Sequence, residues 1–306
     1  MKNINKMIIY FFLLFFSIST AAYAVVDIVT TIPDLAAIAK EIGQDRVEVK
    51  SLGKGYQNPH YVDAKPSFIV DLNRTDFLIY IGLDLETGWL PVLVTGARNS
   101  KINTPNVGGN LDTSTLVPLL DVATVKVDRS QGDIHPGGNP HFLLDPRNAL
   151  RVAAGITERL SEIDPENKTF YEKNLAAFNN SLKQKISDWE AKLKPYRGTK
   201  VFTYHELWTY FINWSGLKEA GTIEPKPGIP PSPKYVADLI RIAESSDVRI
   251  VLSANFYPNK TGEQIAKTED IPFLSLPVQV GGEKGIENYT DLIDFIVESI
   301  SSSLKE

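Results

Sequence analysis

The 306-residue sequence contains no cysteine. Without thiols the chain cannot form disulfides, thiolate metal sites or a thiol nucleophile, and it offers no cysteine for attachment of a lipid. Basic residues are also in the minority, with 32 lysines and arginines against 37 aspartates and glutamates. This balance provides no basic patch for nucleic-acid binding, so we exclude nucleic acid as a partner.

The longest apolar run lies at the N-terminus. Residues 1–24 carry Lys2 and Lys6, then an apolar stretch, and end on Ala22-Tyr23-Ala24, a small-residue pattern typical of signal-peptide cleavage sites. The apolar stretch is too short to span a bilayer comfortably. We therefore predict a signal peptide, cleaved after Ala24, and a periplasmic protein. Without these residues the net charge is −7, which is compatible with a cationic ligand.

The remaining chain of about 280 residues exceeds the usual size of a single core and predicts two lobes. In residues 25–164, strand-like runs such as "VDIVTT", "VEVKSL" and "DFLIYIG" alternate with helical runs such as "DLAAIAKEIG". The same alternation resumes in residues 196–306 with "TKVFTY" and "VRIVLS". Strands separated by helices predict parallel sheets, so we expect an α/β fold with two (β/α) lobes.

A third segment, residues 165–195, separates the two lobes. Its apolar residues recur at steps of three and four: Tyr171, Leu175, Phe178, Leu182, Ile186, Trp189 and Leu193. This spacing predicts one stripe of a long helix, with Asp164 as its N-cap and Pro195 at its end. Periodicity alone leaves open whether the helix links the two lobes or packs on one of them.

Histidine is scarce, with four in the chain. His60 and His141 each follow Asn-Pro, which stiffens the loop, and His205 closes the predicted strand "KVFTY". The carboxyl ends of parallel strands face the ligand-binding crevice, so these three imidazoles predict a cation site. Neutral imidazole suits zinc, whereas magnesium and calcium prefer oxygen ligands. Each ring also needs an acceptor for its second nitrogen, and we expect Asp63 and Asp145 to supply it.

Four longer segments carry a family resemblance: "NPHYVDAKPSFIVDLNRTDFLIYIGLDLETGWLPVLV", "HPGGNPHFLLDPRNA", "VFTYHELWTYF" and "EPKPGIPPSPKYVADLI". In this order they resemble the motifs of the zinc/manganese substrate-binding proteins of ABC transporters, the cluster A-I or ZnuA-like family. The resemblance implies two lobes joined by a long rigid helix, a metal held between the lobes, and delivery to a membrane permease. It favours the linking role for residues 165–195.

By motif position, the resemblance implies that His60, His141 and His205 are the family's three histidine ligands. Manganese-type members often carry glutamate at the third position, so His205 favours Zn²⁺ over Mn²⁺. The expected protein is a monomeric receptor, not an enzyme, that hands Zn²⁺ to an ABC permease.

The fourth ligand departs from the family pattern. Members usually supply a carboxylate from a late strand, but here "FLSLPVQVGGEKG" has Leu276 and Pro277 at that place. Water or one of three side chains could fill the position: His135, Gln279 or Glu283. The long histidine-rich loop of many zinc-specific members is absent as well.

The residues also leave other functions open. Three histidines around an open fourth position are typical of catalytic zinc, which allows a zinc-dependent hydrolase or hydratase. The same fold could instead serve as a receptor for Mn²⁺ or Fe²⁺, for a metal chelate, or for an organic solute with the histidines in a structural role.

Overall fold

Two four-stranded parallel sheets form the framework of the chain, which a computed structural model describes over residues 25–124 and 134–305. The first sheet has the order β2-β1-β3-β4 and contains β1 (Val26–Thr30), β2 (Val47–Ser51), β3 (Phe77–Tyr80) and β4 (Asn110–Asp112). The second has the order β6-β5-β7-β8 and contains β5 (Lys200–Thr203), β6 (Lys218–Thr222), β7 (Val248–Ala254) and β8 (Phe273–Leu276). The two sheets share one topology, which confirms the predicted α/β fold with two lobes.

The helices flank both sheets. They are α1 (Pro33–Gly43), α2 (Pro66–Arg74), α3 (Leu90–Ala97), α4 (Pro146–Ile163), α5 (Lys168–Leu193), α6 (Thr209–Ser215), α7 (Pro233–Ser246), α8 (Lys260–Glu269) and α9 (Tyr289–Ser303). Four of them begin on a proline, which is tolerated there because the first helical N–H groups have no partner within the helix. Among the described residues, no helix combines the length and the apolar character needed to cross a membrane. The predicted signal peptide lies outside them.

The long helix between the lobes starts later than predicted. Residues 165–167 form a 3₁₀ turn, and α5 begins at Lys168 with Asn167 as its N-cap. The Asp164 side chain caps no backbone N–H; its Oδ2 instead accepts hydrogen bonds of 2.7 Å from the Asn167 side-chain amide and from the Tyr171 hydroxyl. At the other end α5 gives way to a second 3₁₀ turn at 194–196. The helix therefore runs about 39 Å, at 1.5 Å per residue.

The predicted stripe of α5 faces inward. Five of its seven residues are buried and the other two pack against the core at partial exposure. This face contacts α1 and α4 of the first lobe and α9 of the second. The α9 contact includes Asp294, which accepts hydrogen bonds from the Trp189 indole at 2.7 Å and from Lys185 at 2.6 Å. Because α5 contacts both lobes, the structure agrees with the linking interpretation.

One hydrophobic core runs through both lobes. It joins Ile28 and Phe77 of the first sheet to Trp189 of α5 and to Val201 and Ile250 of the second sheet. The opposite face of each sheet packs into a smaller cluster of its own. This division follows from the alternation of side chains along a strand. It leaves the lobes fused along their inner faces.

Candidate metal centre

Three histidines meet at the boundary between the lobes. His60 lies in the loop between β2 and α2, His205 follows β5 after one intervening residue, and His141 immediately precedes a 3₁₀ turn that leads into α4. One nitrogen from each lies within 4.8 Å of the other two, and no other group of His, Cys, Asp or Glu in the described part of the chain meets this criterion. The expected convergence is therefore present, while the role of these nitrogens as ligands remains a prediction. The strand that the sequence predicts before His141, within residues 122–133, lies mostly outside the described residues.

The fourth histidine lies in the same cluster. His135 Nε2 is 3.0 Å from His60 Nε2, and the two ring centroids are 5.1 Å apart. His60 also approaches His141 and His205, with centroid distances of 5.3 and 5.7 Å. All four histidines of the sequence thus gather in one place.

The second ring nitrogen of three histidines points at an oxygen. His60 Nδ1 lies 2.8 Å from Asn58 Oδ1, and His135 Nδ1 lies 2.7 Å from the Leu83 carbonyl. His205 Nδ1 lies 2.8 Å from Glu224 Oε2 in a buried ion-pair geometry. An Nδ1–H donated to oxygen leaves Nε2 with its lone pair free to bind a cation.

Both Asn-Pro-His motifs hold their histidine through the asparagine. Asn58 Oδ1 and Asn139 Oδ1 each accept the backbone N–H of the histidine two residues later at 3.0 Å. The Asn139 amide also donates to the Glu206 carbonyl across the lobe boundary at 2.6 Å. The proline restricts the backbone and the amide fixes the turn, so each imidazole projects from a stiff loop.

The structure corrects both predicted acceptors. Asp63 is exposed, and the acceptor at His60 Nδ1 is Asn58. Asp145 caps α4 and binds the Arg147 guanidinium at 2.6 to 3.1 Å, so its carboxylate is used at the helix start.

The candidate fourth ligands Glu283 and Gln279 lie in different surroundings. Glu283 is exposed in the turn before α9 and does not belong to the histidine group. Gln279 is buried and lines a small cavity together with His141. Its amide nitrogen donates to the Gln57 carbonyl at 3.0 Å, and Oε1 is the atom through which an amide binds a cation.

Sequence reasoning missed Glu224. It follows β6 at the same sheet edge as His205 and is buried to 7% exposure, and its Oε2 also accepts the Gly228 N–H at 3.2 Å. The available signal was an acidic residue just past the strand that neighbours β5, separated from it by one residue, but β6 has no alternating apolar pattern. Asn58 was visible in the motif, although only as a turn residue.

Burial disfavours the charged form of two of these histidines, His60 and His141. Desolvation lowers the pKa of His60 and of His141 well below the usual value, and the neighbouring imidazoles lower both further. His141 Nε2 is buried with no hydrogen-bond partner among the described residues. Neutral imidazoles with lone pairs that no proton occupies can bind a borderline divalent cation.

A buried acid lies close by. Asp34, at the start of α1, lines the small cavity that His141 also lines, and its Oδ2 has no hydrogen-bond partner in the part of the chain that the structure describes. Desolvation raises the pKa of Asp34 to about 7, against backbone hydrogen bonds that lower it.

Known proteins share this architecture. The family profile described as "Zinc-uptake complex component A periplasmic" matches residues 28–303. The manganese ABC transporter substrate-binding lipoprotein PsaA of Streptococcus pneumoniae is 26% identical over 290 residues, which cover 91% of this chain and 89% of PsaA. FimA of Streptococcus parasanguinis, a metal ABC transporter substrate-binding lipoprotein, is 26% identical over 329 aligned positions that span both chains completely. The solved structure described as "Crystal structure of ZnuA" has a TM-score of 0.76 at 25% identity and covers 92% of this chain and 99% of that chain.

Two α/β lobes of one topology, with an imidazole cluster at their boundary and these relatives, define a substrate-binding protein of a metal ABC transporter. Such a protein is a receptor and not an enzyme, so the hydrolase and hydratase alternatives are set aside. The chain belongs to the family of zinc-uptake complex component A, whose profile spans almost all of it.

Proposed function

We propose that this protein is a periplasmic receptor that binds Zn²⁺ between its lobes through His60, His141 and His205 and delivers it to an ABC permease. The observation that carries the proposal is the convergence of these three imidazoles within 4.8 Å. In a tetrahedral zinc site with Zn–N bonds of about 2.0–2.1 Å, ligand nitrogens lie about 3.3 Å apart, so a small contraction brings the three into place.

The donor set favours zinc over manganese. No carboxylate belongs to the group of converging ligand atoms, and Mn²⁺ prefers oxygen and stands lowest in the affinity series of divalent first-row metals. The relatives carry names of both kinds, since PsaA is a manganese protein by name and the family profile is named for zinc uptake. Metal preference therefore has to follow from this chain's own ligands.

The setting of the receptor is part of the proposal. We expect the chain to act as a monomer that docks on a membrane permease after removal of residues 1–24. PsaA and FimA are lipoproteins by name, but this sequence has no cysteine to carry a lipid. Diffusion in the periplasm is consistent with that difference.

The test is a metal titration of the chain without residues 1–24. The protein is stripped with a chelator and titrated with Zn²⁺ and Mn²⁺ by calorimetry, alongside His141→Ala and the matched control Glu283→Ala. We expect one zinc site in the wild type and the control. Removal of a residue that is hydrogen-bonded to a metal ligand typically weakens metal binding by about 10–100-fold. In His141→Ala, which removes a ligand itself, we expect a larger loss of zinc affinity.

Three results would overturn the proposal. Tighter binding of Mn²⁺ than of Zn²⁺ would make this a manganese receptor, and no site for either metal would point to a chelate or an organic solute. Equal zinc binding by His141→Ala and the wild type would place the metal elsewhere.

A further inference from the structure

A buried asparagine, Asn139, links the segment that carries His141 to the segment that carries His205. Its Oδ1 accepts the backbone N–H of His141 at 3.0 Å, which identifies that atom as the amide oxygen. Its Nδ2 donates to the Glu206 carbonyl at 2.6 Å, and Glu206 directly follows His205 in the chain. One side chain therefore reaches from one proposed ligand to the neighbour of another.

The other contacts of Asn139 lie at the same boundary. Its Nδ2 is 3.2 Å from Asp121 Oδ2, in the first lobe, and 3.2 Å from Thr209 Oγ1, in the second. Its backbone N–H donates to the Leu120 carbonyl at 2.9 Å, which holds the residue in its own lobe. Asn139 is 5% exposed, and a buried amide that loses its partners has little access to water as a replacement.

Ligands that come from two lobes need a fixed distance between the segments that carry them. His60 and His141 belong to the first lobe and His205 to the second. On one tetrahedral zinc ion their nitrogens would lie about 3.3 Å apart, and a ligand shell has to be held within about 0.5 Å of its working geometry. A hydrogen-bonded link between two ligand segments meets this requirement directly at the site.

We infer that Asn139 is a positioning residue that sets the distance between His141 and His205. The inference rests on the proposed function, since it concerns the same metal. In this role Asn139 does not bind zinc, because its amide acts through the backbone of His141 and of Glu206. An amide has no titratable proton, so the link is the same whatever the charge of the histidines.

Asn99 offers a matched comparison within a single lobe. It is buried, and its Oδ1 accepts the backbone N–H two residues later at 3.0 Å, as Asn139 Oδ1 does. Its Nδ2 donates to the carbonyls of Leu72 and Thr75 at 2.9 and 2.7 Å. All of these partners lie in the first lobe, so Asn99 has the same kinds of contact as Asn139 without the link to the second lobe.

The experiment compares Asn139→Ser with Asn99→Ser in the chain without residues 1–24. A serine hydroxyl can accept the hydrogen bond of the turn, but it is too short to replace the amide donor. Urea unfolding of the metal-free proteins should show a loss of stability in both variants. Calorimetric titration should show at least about a tenfold loss of zinc affinity in Asn139→Ser and wild-type affinity in Asn99→Ser, since groups that orient a ligand are worth about 10–100-fold.

Wild-type zinc affinity in Asn139→Ser would overturn the inference. An equal loss in both variants would overturn it too, because the loss would then follow stability and not position. A crystal structure of the wild-type zinc complex is a second test that needs no variant: the Asn139 amide should donate to the Glu206 carbonyl, and a broken contact would contradict the assigned role. The proposed function survives these results as long as the wild type binds zinc and His141→Ala does not.

Discussion

Glu224 is the residue that orients His205 from behind. Its carboxylate accepts the Nδ1–H at 2.8 Å. In the proposed zinc site this hydrogen bond would present Nε2 to the metal and make the ring a stronger donor. We expect Glu224→Ala to weaken zinc binding by about 10–100-fold. The zinc affinity of Glu224→Gln should lie between those of the wild type and Glu224→Ala, because an amide oxygen still accepts the hydrogen bond but carries no charge. Calorimetric zinc titrations measure the effect.

Asp145→Asn is the matched control for Glu224. Its carboxylate caps α4 and binds Arg147, so zinc affinity should stay at the wild-type level. Loss of affinity in this control, or wild-type affinity in Glu224→Ala, would contradict the role assigned to Glu224.

Asp34 should make stability depend on pH. Its pKa is about 7 in the folded chain and about 3.9 when unfolded, so between these values only the folded chain holds the proton. The free energy of unfolding therefore loses up to about 4 kcal/mol from this group as pH rises from about 4 to about 7. Asp34→Asn carries no titratable proton, and its stability relative to the wild type should increase over that range.

Urea unfolding of the metal-free wild type and Asp34→Asn, at several values between about pH 5 and about pH 8, measures this difference. Because the histidines titrate in both proteins, their contribution cancels in the comparison. A stability difference that does not change with pH would show that Asp34 is ionised in the folded chain.

At the scale of single residues, the sequence predicts the candidate ligands but not the groups that accept a hydrogen bond from their second ring nitrogen. His60, His141 and His205 stood out because histidine is rare and because two of them follow Asn-Pro. Nearness in the chain predicts Asp63 and Asp145 as the acceptors. The acceptor of His205 lies 19 residues away, on a neighbouring strand's loop, where only the folded sheet brings it close.

The loop that carries His60 approaches the other lobe at Gly55. A Cβ added there would lie 2.2 Å from the Val280 carbonyl oxygen and 2.3 Å from the Gly282 nitrogen, and backbone atoms cannot yield cheaply. Gly55→Ala should push the two segments apart and destabilise the chain by about 1–3 kcal/mol, the usual cost of overpacking. It should also weaken zinc binding, because His60 moves with its loop.

Gly88→Ala is a suitable control, since its added Cβ would meet only the His60 carbonyl at 3.9 Å. Urea unfolding and zinc titration of both variants test the prediction. Equal stability of Gly55→Ala and Gly88→Ala would show that the close approach at Gly55 can relax at no cost.

The secondary-structure elements differ in how clearly the sequence predicts them. The spacing of apolar residues predicts the stripe of α5 because every residue on that stripe packs against the core. Strand β6, "KEAGT", is not predicted, because it has no apolar alternation and contains a glycine. The start of α5 was placed three residues early, since Asp164-Pro165 has the composition of a helix start but initiates a 3₁₀ turn.

For the whole molecule, local patterns predicted two lobes, but not how they join. The inner faces of both sheets, together with α5 and α9, form one continuous hydrophobic cluster. Nothing in a periodicity shows which apolar faces will meet each other. The resemblance to a family supplied the linking helix, and the packing of Trp189 and Lys185 against Asp294 gives it a physical basis.

The shared core also means that a ligand at the boundary acts on the entire chain. When two lobes unfold together, a metal that binds only the folded state stabilises both of them by the same amount, about 4 kcal/mol at a free concentration 1,000 times Kd. Residues far from the histidines gain this protection without touching the ion. We therefore expect the metal-loaded receptor to resist proteases that cleave the globally unfolded chain better than the metal-free receptor does, at sites in both lobes.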